Sequence, residues 1–160
     1  MTLSVIENVF HGLRGEELID RIYWLENQLL QTTEVDTLKE NDLKTVHYFE
    51  DGLYARELHI PKDTMIIGKM HKKGQIITVS KGDISILTDN GMVRVQAPFT
   101  FASGEGAKRV GYAHEDTVVT TYSATNLKDV AEIEKEIIIS THAQYLEYKQ
   151  STAGEAQCLG

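Results

Sequence analysis

The sequence contains very little cysteine and no long apolar run. Its single cysteine, Cys158, excludes an internal disulfide framework and a cysteine-based metal cluster. No run of about 18 apolar residues occurs, so the sequence predicts no transmembrane helix. The first residues include an early acid, Glu7, and lack the basic and apolar regions of a signal peptide. These absences predict a cytoplasmic protein.

Positive charge is also scarce, because 24 acidic residues outnumber 16 lysines and arginines and give a net charge of −8. A protein that binds a nucleic-acid polymer needs basic surface to neutralise phosphates, so the charge balance argues against that partner. The cations are nevertheless concentrated at a few positions, which are Lys69, Lys72, Lys73, Lys81 and the pair Lys108 and Arg109. Such clusters predict either a local anion-binding site or solvated strand ends and turns.

The length of 160 residues suits one domain with short terminal elements. Residues 1–45 are interpreted as an N-terminal helical segment, because apolar side chains recur at helical spacing over 15–31. These side chains are Leu18, Ile22, Leu25 and Leu29. Trp24, Leu29 and Leu30 give this helix more apolar surface than packing on one barrel face requires, which favours a homodimer or a higher homo-oligomer.

Residues 46–125 have the pattern of short β-strands separated by turns. Turn signals such as Pro61-Lys62-Asp63 recur at intervals of about ten residues, which predicts an all-β sandwich or barrel. Asn90-Gly91 lies between two β-rich runs and predicts a tight hairpin. Residues 126–150 are interpreted as a C-terminal helical segment, with a helix over 126–139 capped by Asn126. Residues 151–160 are small and polar and are predicted to be a disordered tail.

Two motifs carry a resemblance to a known family. The stretch 68–75, Gly-Lys-Met-His-Lys-Lys-Gly-Gln, followed by Gly82, resembles the first motif of the cupin superfamily. The stretch 104–109, Gly-Glu-Gly-Ala-Lys-Arg, resembles part of the second motif, and 97–125 is similar to small cupin proteins of tailed bacteriophages. The resemblance implies a mainly β fold: a cupin-type β-barrel, also called a jelly roll or double-stranded β-helix. One α-helix would flank it at each end.

The resemblance also implies which side chains point into the barrel. At the four matching positions the chain has Lys69, His71, Gln75 and Arg109. Metal-binding cupins hold a divalent metal with histidine and carboxylate ligands, which lysine and arginine do not replace. The prediction is therefore a cupin without a metal or another cofactor. A relocated metal site remains open, and its candidate ligands are His47, Glu57, His59 and His114.

The same four residues suit an anion. Arg109 offers a bidentate fork and Lys69 a point charge to a phosphate or carboxylate. His71 and Gln75 add directional hydrogen bonds. The candidate ligand-binding set is completed by Lys108, Tyr112 and Tyr122. The sequence thus predicts that the barrel binds a small anionic molecule without turnover. A nucleotide or nucleotide-like signal, sequestered from the host by a phage protein, is the ligand that the resemblance suggests.

Two other functions remain open from the sequence. In the first, His71 is the general base of a sugar-nucleotide epimerase or isomerase and a tyrosine is the acid, or a rebuilt metal site gives a metal-dependent enzyme. In the second, the barrel is a scaffold in a virion or another assembly. A binding protein is favoured over an enzyme, because the sequence does not identify an acid that would orient His71.

Overall fold

The computed structural model describes residues 2–31 and 43–158, apart from the side chains of Leu30 and of 153–158. Its elements in chain order are α1 (Leu3–Phe10), α2 (Gly15–Gln31), β1 (Thr45–Glu50), β2 (Leu53–Ile60), β3 (Met65–Ile67), β4 (Met70–His71), β5 (Gln75–Lys81), β6 (Asp83–Thr88), β7 (Gly91–Gln96), β8 (Phe99–Ser103), β9 (Val110–Ala113), β10 (Thr117–Ala124), α3 (Val130–Ile137), β11 (Ile138–Ile139) and α4 (His142–Cys158). None of the described helices is both long enough and apolar enough to cross a membrane.

Two antiparallel sheets form the body of the protein. One has the strand order β1-β2-β10-β5-β8, and the other has the order β3-β9-β6-β7. In the first of these sheets, β10 comes last in the chain yet lies between β2 and β5. The chain therefore crosses repeatedly from one sheet to the other, which is the jelly-roll arrangement. The hairpin predicted at Asn90-Gly91 joins β6 to β7. The predicted fold class, a cupin-type β-barrel with helices at both ends, is confirmed.

The core of the barrel lies between the inner faces of the two sheets. Residues two apart on a strand point to the same face, so each strand contributes alternate side chains to this core. Both sheets supply the buried apolar residues, which are Leu58, Ile60, Val79, Ile84, Val95 and Ala113. The opposite faces of the strands are left for the terminal helices and the surface.

Helices α1 and α2 pack on the outer face of the four-stranded sheet. They bury Ile6, Phe10, Leu18, Ile22 and Leu25 against Met65, Leu87 and Val110. The helix predicted over 15–31 is α2, with the same bounds. Helix α1 is an element that the sequence pattern did not predict.

The apolar surface of α2 bears on the predicted homo-oligomer. Trp24 is 50% exposed, and the guanidinium of Arg21 lies over its ring. Leu29 packs partly against the α1–α2 cluster, and the side chain of Leu30 lies outside the described residues. The homodimer or higher oligomer therefore stays a prediction.

The C-terminal helices differ in their bounds from the sequence prediction. Helix α3 begins at Val130 because Asp129, rather than Asn126, caps it and accepts a hydrogen bond from the backbone N–H of Glu132. After α3 the chain forms the short strand β11, which pairs with β4. Helix α4 then continues to Cys158, over most of the stretch predicted to be a disordered tail. That stretch contains alanine, glutamate and glutamine, whose helix propensity is high.

Candidate functional site

A small cavity lies between the two sheets, and its volume is about 120 Å³. Its polar lining residues are Arg56, Lys69, His71, Gln75, Ser103, Arg109 and Thr121. Its apolar lining side chains are Leu58, Ile66, Ile77, Ile84, Ile86, Phe101 and Val119. No Asp or Glu lines it within the described parts of the chain, whereas three of its polar residues are cations. Among the described residues that line the cavity, the charged side chains are therefore all cationic.

Strand alternation explains why these side chains share the cavity. On β5, Gln75 and Ile77 are two residues apart and so point to the same face. Across the sheet they pair with Ser103 and Phe101 of β8, which face the same way. The four residues implied by the resemblance, Lys69, His71, Gln75 and Arg109, all line this space. Their role in binding stays a prediction.

Arg109 is held in the cavity by a weak contact. Its Nη2 donates a hydrogen bond to Ser103 Oγ at 3.4 Å, while its Nε is buried and has no partner among the described residues. Burial lowers the pKa of the Arg109 guanidinium, and the negative charge of Asp89 acts in the opposite direction. A buried donor without a partner is unfavourable by about 1–3 kcal/mol. An acceptor that reached this N–H would relieve that penalty.

Gln75 carries a second buried polar atom of this kind. Its Oε1 has no hydrogen-bond partner within the described part of the chain. The backbone of Gln75 pairs with that of Ser103, the residue that Arg109 contacts. The amide can turn either its oxygen or its NH₂ group toward a ligand. Arg109, Ser103 and Gln75 therefore form one contiguous polar group with unused hydrogen-bonding capacity.

Lys69 and His71 approach the cavity from the chain segment next to α3. Lys69 Nζ donates to Glu134 Oε1 of α3 at 2.7 Å, so its charge is already partly neutralised. His71 belongs to β4, where it pairs with Ile138, and it has further interactions of its own. The two residues are thus positioned in part by the C-terminal segment.

Arg56 is a cavity residue that the sequence analysis missed. It lies on β2 between Tyr54 and Leu58, and all three share the inner face of the strand. It has interactions of its own within the protein. The alternation of the run Tyr-Ala-Arg-Glu-Leu was the available signal, because it places Arg56 on the same side as buried Leu58.

Lys108 was predicted to bind ligand, but its side chain points away from the cavity. It is only 2% exposed and pairs with Glu26 Oε2 of α2 at 2.9 Å. Its Nζ also lies 4.3 Å from the ring centroid of Tyr23 and donates to Gly68 O at 3.3 Å. Adjacent residues in an extended chain face opposite sides, so Lys108 reaches α2 while Arg109 enters the barrel. Lys108 therefore fastens α2 to the barrel.

The two candidate tyrosines also lie on the other faces of their strands. Tyr112 packs against the α1–α2 cluster and donates to Asp63 Oδ1 at 3.3 Å. Burial, followed by the charge of Asp63, raises the pKa of Tyr112. Tyr122 neighbours Thr121, which lines the cavity, and so points to the outer face of β10. Neither tyrosine is among the residues that line the cavity with His71.

The surface lysines of the first motif contact α3. Lys73 Nζ pairs with Glu136 Oε1 at 2.9 Å, and the hydrogen bond from Lys73 lowers the pKa of that carboxyl. Lys72 Nζ donates to the backbone oxygen of Lys135 at 3.1 Å, close to the helix C-terminus, where a cation is favourable. Lys72 and Lys73 therefore hold α3 against the barrel. Of the first-motif lysines Lys69, Lys72 and Lys73, only Lys69 lines the cavity with Arg109.

A metal ion does not fit the residues of this cavity. Lys69 and Arg109 occupy two of the four positions where cupins carry ligands, and neither is a ligand at neutral pH. The relocated site is not assembled either, since the described residues contain no group of three His, Cys, Asp or Glu side chains able to hold one ion. Instead His59 Nε2 contacts Glu57 Oε1 at 2.7 Å, and His114 Nε2 contacts Ser85 Oγ at 2.8 Å.

Comparisons with known proteins find similarity in structure alone. No family model and no curated protein matches the sequence. A cupin superfamily protein of Desulfitobacterium hafniense aligns with a TM-score of 0.46 and 7% identity, over 54% of this chain and 80% of its own. KdgF of a Halomonas species aligns with a TM-score of 0.45 and 17% identity, over 54% of this chain and 80% of its own. A cupin-2 domain protein of Shewanella frigidimarina aligns with a TM-score of 0.44 and 8% identity, over 63% of this chain and 92% of its own.

The strand order carries the assignment of the fold. Two antiparallel sheets exchange strands in the jelly-roll manner, and the first-motif residues lie where the cupin resemblance implies them. The similarity to proteins of tailed bacteriophages stays a prediction. The chain therefore has a jelly-roll barrel, with cations and an amide among the residues that line its cavity.

Proposed function

We propose that this protein binds a small anion inside the barrel and does not transform it. The observation that carries the proposal is the buried Nε–H of Arg109, which lines the cavity and has no partner among the described residues. Burying an arginine without a counter-ion is unfavourable, so an anion that completes its hydrogen bonds is stabilised in return. Arginine also binds planar carboxylate and phosphate groups through its fork of donors.

The remaining polar lining residues support an anion over a cation. Lys69 adds a second positive charge, and Ser103 and Gln75 add side chains that can donate hydrogen bonds. Within the described lining no carboxylate would repel the ligand. Catalysis has less support, because no Asp or Glu lines the cavity within the described residues.

The size of the cavity restricts the ligand. Small-molecule sites usually enclose about 300–1,000 Å³, whereas this cavity holds about 120 Å³. One water occupies about 30 Å³ of liquid, so the space corresponds to roughly four waters. A whole nucleotide, with its base, sugar and phosphates, exceeds it. The predicted sequestration of a signalling nucleotide would thus need most of that ligand to lie outside the barrel, and we favour a smaller anion.

Isothermal titration calorimetry with acetate and with inorganic phosphate tests the proposal. A ligand of this size that gains about 1 kcal/mol per heavy atom binds with a Kd between roughly 0.1 and 1 mM. Arg109→Gln removes a charge-assisted hydrogen bond worth about 1.5–3 kcal/mol, so affinity is expected to fall at least tenfold. Arg21→Gln is the matched control, because Arg21 is exposed on α2. Equal affinity in the wild type and Arg109→Gln would contradict the proposal.

A further inference from the structure

The cavity changes from polar to apolar along its strands. In the five-stranded sheet, Gln75 pairs with Ser103 at one level, and Ile77 pairs with Phe101 two residues further along. Residues two apart on a strand are separated by roughly 6.6 Å. The cavity therefore has a polar end and an apolar end a few ångströms apart.

The neighbouring strands repeat this order two residues further along. Thr121 pairs with Ile77 on one side and with Arg56 on the other, and after two more residues Val119 pairs with Leu58. The four-stranded sheet contributes further apolar lining side chains, which are Ile66, Ile84 and Ile86. An inorganic anion would use the polar end and leave this apolar wall without contacts. A ligand with an anionic head and a short apolar tail would contact both.

The charges at the polar end favour a single negative charge on the ligand. Lys69 is already paired with Glu134 at 2.7 Å. Arg109 has no carboxylate within 4.0 Å in the described chain, and the charge of Asp89 acts on it only from farther away. The charge of Arg109 is thus available to a ligand. A monoanion balances it, whereas a dianion would bring a second charge into a largely apolar space.

The volume limits the length of the tail. A cavity of about 150 Å³ lined by apolar residues binds benzene, which has six heavy atoms. By proportion, the 120 Å³ here hold roughly five heavy atoms. Propionate has this size, and butyrate is slightly larger.

We infer that the anion site takes a short-chain monocarboxylate, with its carboxylate at Arg109 and its alkyl tail against the apolar wall. This inference rests on the proposed function and specifies the ligand class for the same site. It predicts that affinity rises with tail length as long as the tail still fits. Each methylene moved from water into apolar surroundings raises affinity roughly fourfold.

The test is a calorimetric series on the full-length protein with acetate, propionate, butyrate, hexanoate and inorganic phosphate. We expect affinity to rise roughly fourfold from acetate to propionate and to fall at hexanoate. Val119→Thr keeps the shape of the side chain but places a hydroxyl in the apolar wall, so it should flatten the dependence on tail length. Val118→Thr is the control, because Val118 precedes Val119 on the same strand and points to the opposite face.

The outcomes separate this inference from the proposed function. If phosphate binds and propionate binds no more tightly than acetate, the monocarboxylate class is wrong while the anion site stands. If none of the five anions binds, both are wrong. The series on the wild-type protein decides between these results even if Val119→Thr does not fold.

Discussion

Removing the carboxylate of Glu134 should strengthen anion binding. Glu134 lies on α3 and accepts a hydrogen bond from Lys69 Nζ at 2.7 Å, so it competes with any ligand for the charge of Lys69. Glu134→Gln keeps the shape of the side chain and removes its charge. Because Glu134 is 45% exposed and Lys69 is also partly hydrated, the fold should tolerate the change.

The size of the effect follows from Coulomb's law. An anion oxygen that also contacts Lys69 at about 2.8 Å would lie roughly 5.5 Å from the Glu134 carboxylate. Two charges at that distance repel by about 0.8–1.5 kcal/mol for an effective dielectric constant of roughly 80 to 40, which suits a half-exposed group. Glu134→Gln should therefore raise the affinity for acetate roughly fourfold to thirteenfold.

The assay is calorimetric titration of acetate at low salt, with Glu136→Gln as the matched control. Glu136 lies on the same helix but pairs with the exposed Lys73, which does not line the cavity. Its removal should leave affinity unchanged within about twofold, because solvent and salt screen surface charges. Affinity for acetate that is unchanged or lower in Glu134→Gln would refute the placement of the anion next to Lys69.

Three further predictions concern stability. Glu26→Gln should lower the free energy of unfolding by about 2–3 kcal/mol, more than Lys108→Met, because it leaves a buried ammonium without its counter-ion; urea unfolding of both variants measures the order. Hydrogen bonds from Arg94 and Gln96 hold the pKa of Asp83 at about 2, below its ordinary 3.8. The stability gained from Asp83 is therefore full above pH 4 and is lost as pH falls toward 2, so melting temperatures of wild type and Asp83→Asn should converge there. Gly82→Ala should destabilise the protein far more than Gly91→Ala. Both glycines have positive φ, but of the two only Gly82 would place a Cβ 2.6 Å from a backbone oxygen. In thermal melts Gly82→Ala should therefore lose about 2 kcal/mol or more of unfolding free energy beyond the loss in Gly91→Ala.

The barrel was predictable because its signals are local and repetitive. Turn residues at regular intervals and the hairpin signal at Asn90-Gly91 define the strands, and the motif resemblance places Lys69, His71, Gln75 and Arg109 in or directly before strands that meet in the fold. Strand parity then decides which side chains share a face. The same rule would have added Arg56 and removed Lys108 from the candidate site.

Other features depend on contacts that a single sequence does not display. Lys108 and Arg109 are neighbours of equal charge, and only the position of Glu26 on α2 explains why Lys108 is buried outside the cavity. The pairing of Lys69 with Glu134 joins residues 65 positions apart in the chain. Cavity volume likewise depends on how the side chains of both sheets pack. A nucleotide was therefore compatible with the motif, whereas the volume of the cavity favours a smaller anion.

The most direct test of the anion site is the NMR signal of the Arg109 Nε–H group in ¹⁵N-labelled protein during titration with propionate. The buried N–H has no partner among the described residues. On binding it should acquire a charge-assisted hydrogen bond, and its proton resonance should move downfield in a saturable manner. The matching signal of Arg21, which is exposed on α2, should stay in place. An Arg109 Nε–H resonance that does not move at a propionate concentration of about 10 mM, well above the expected Kd, would contradict an anion site in the barrel.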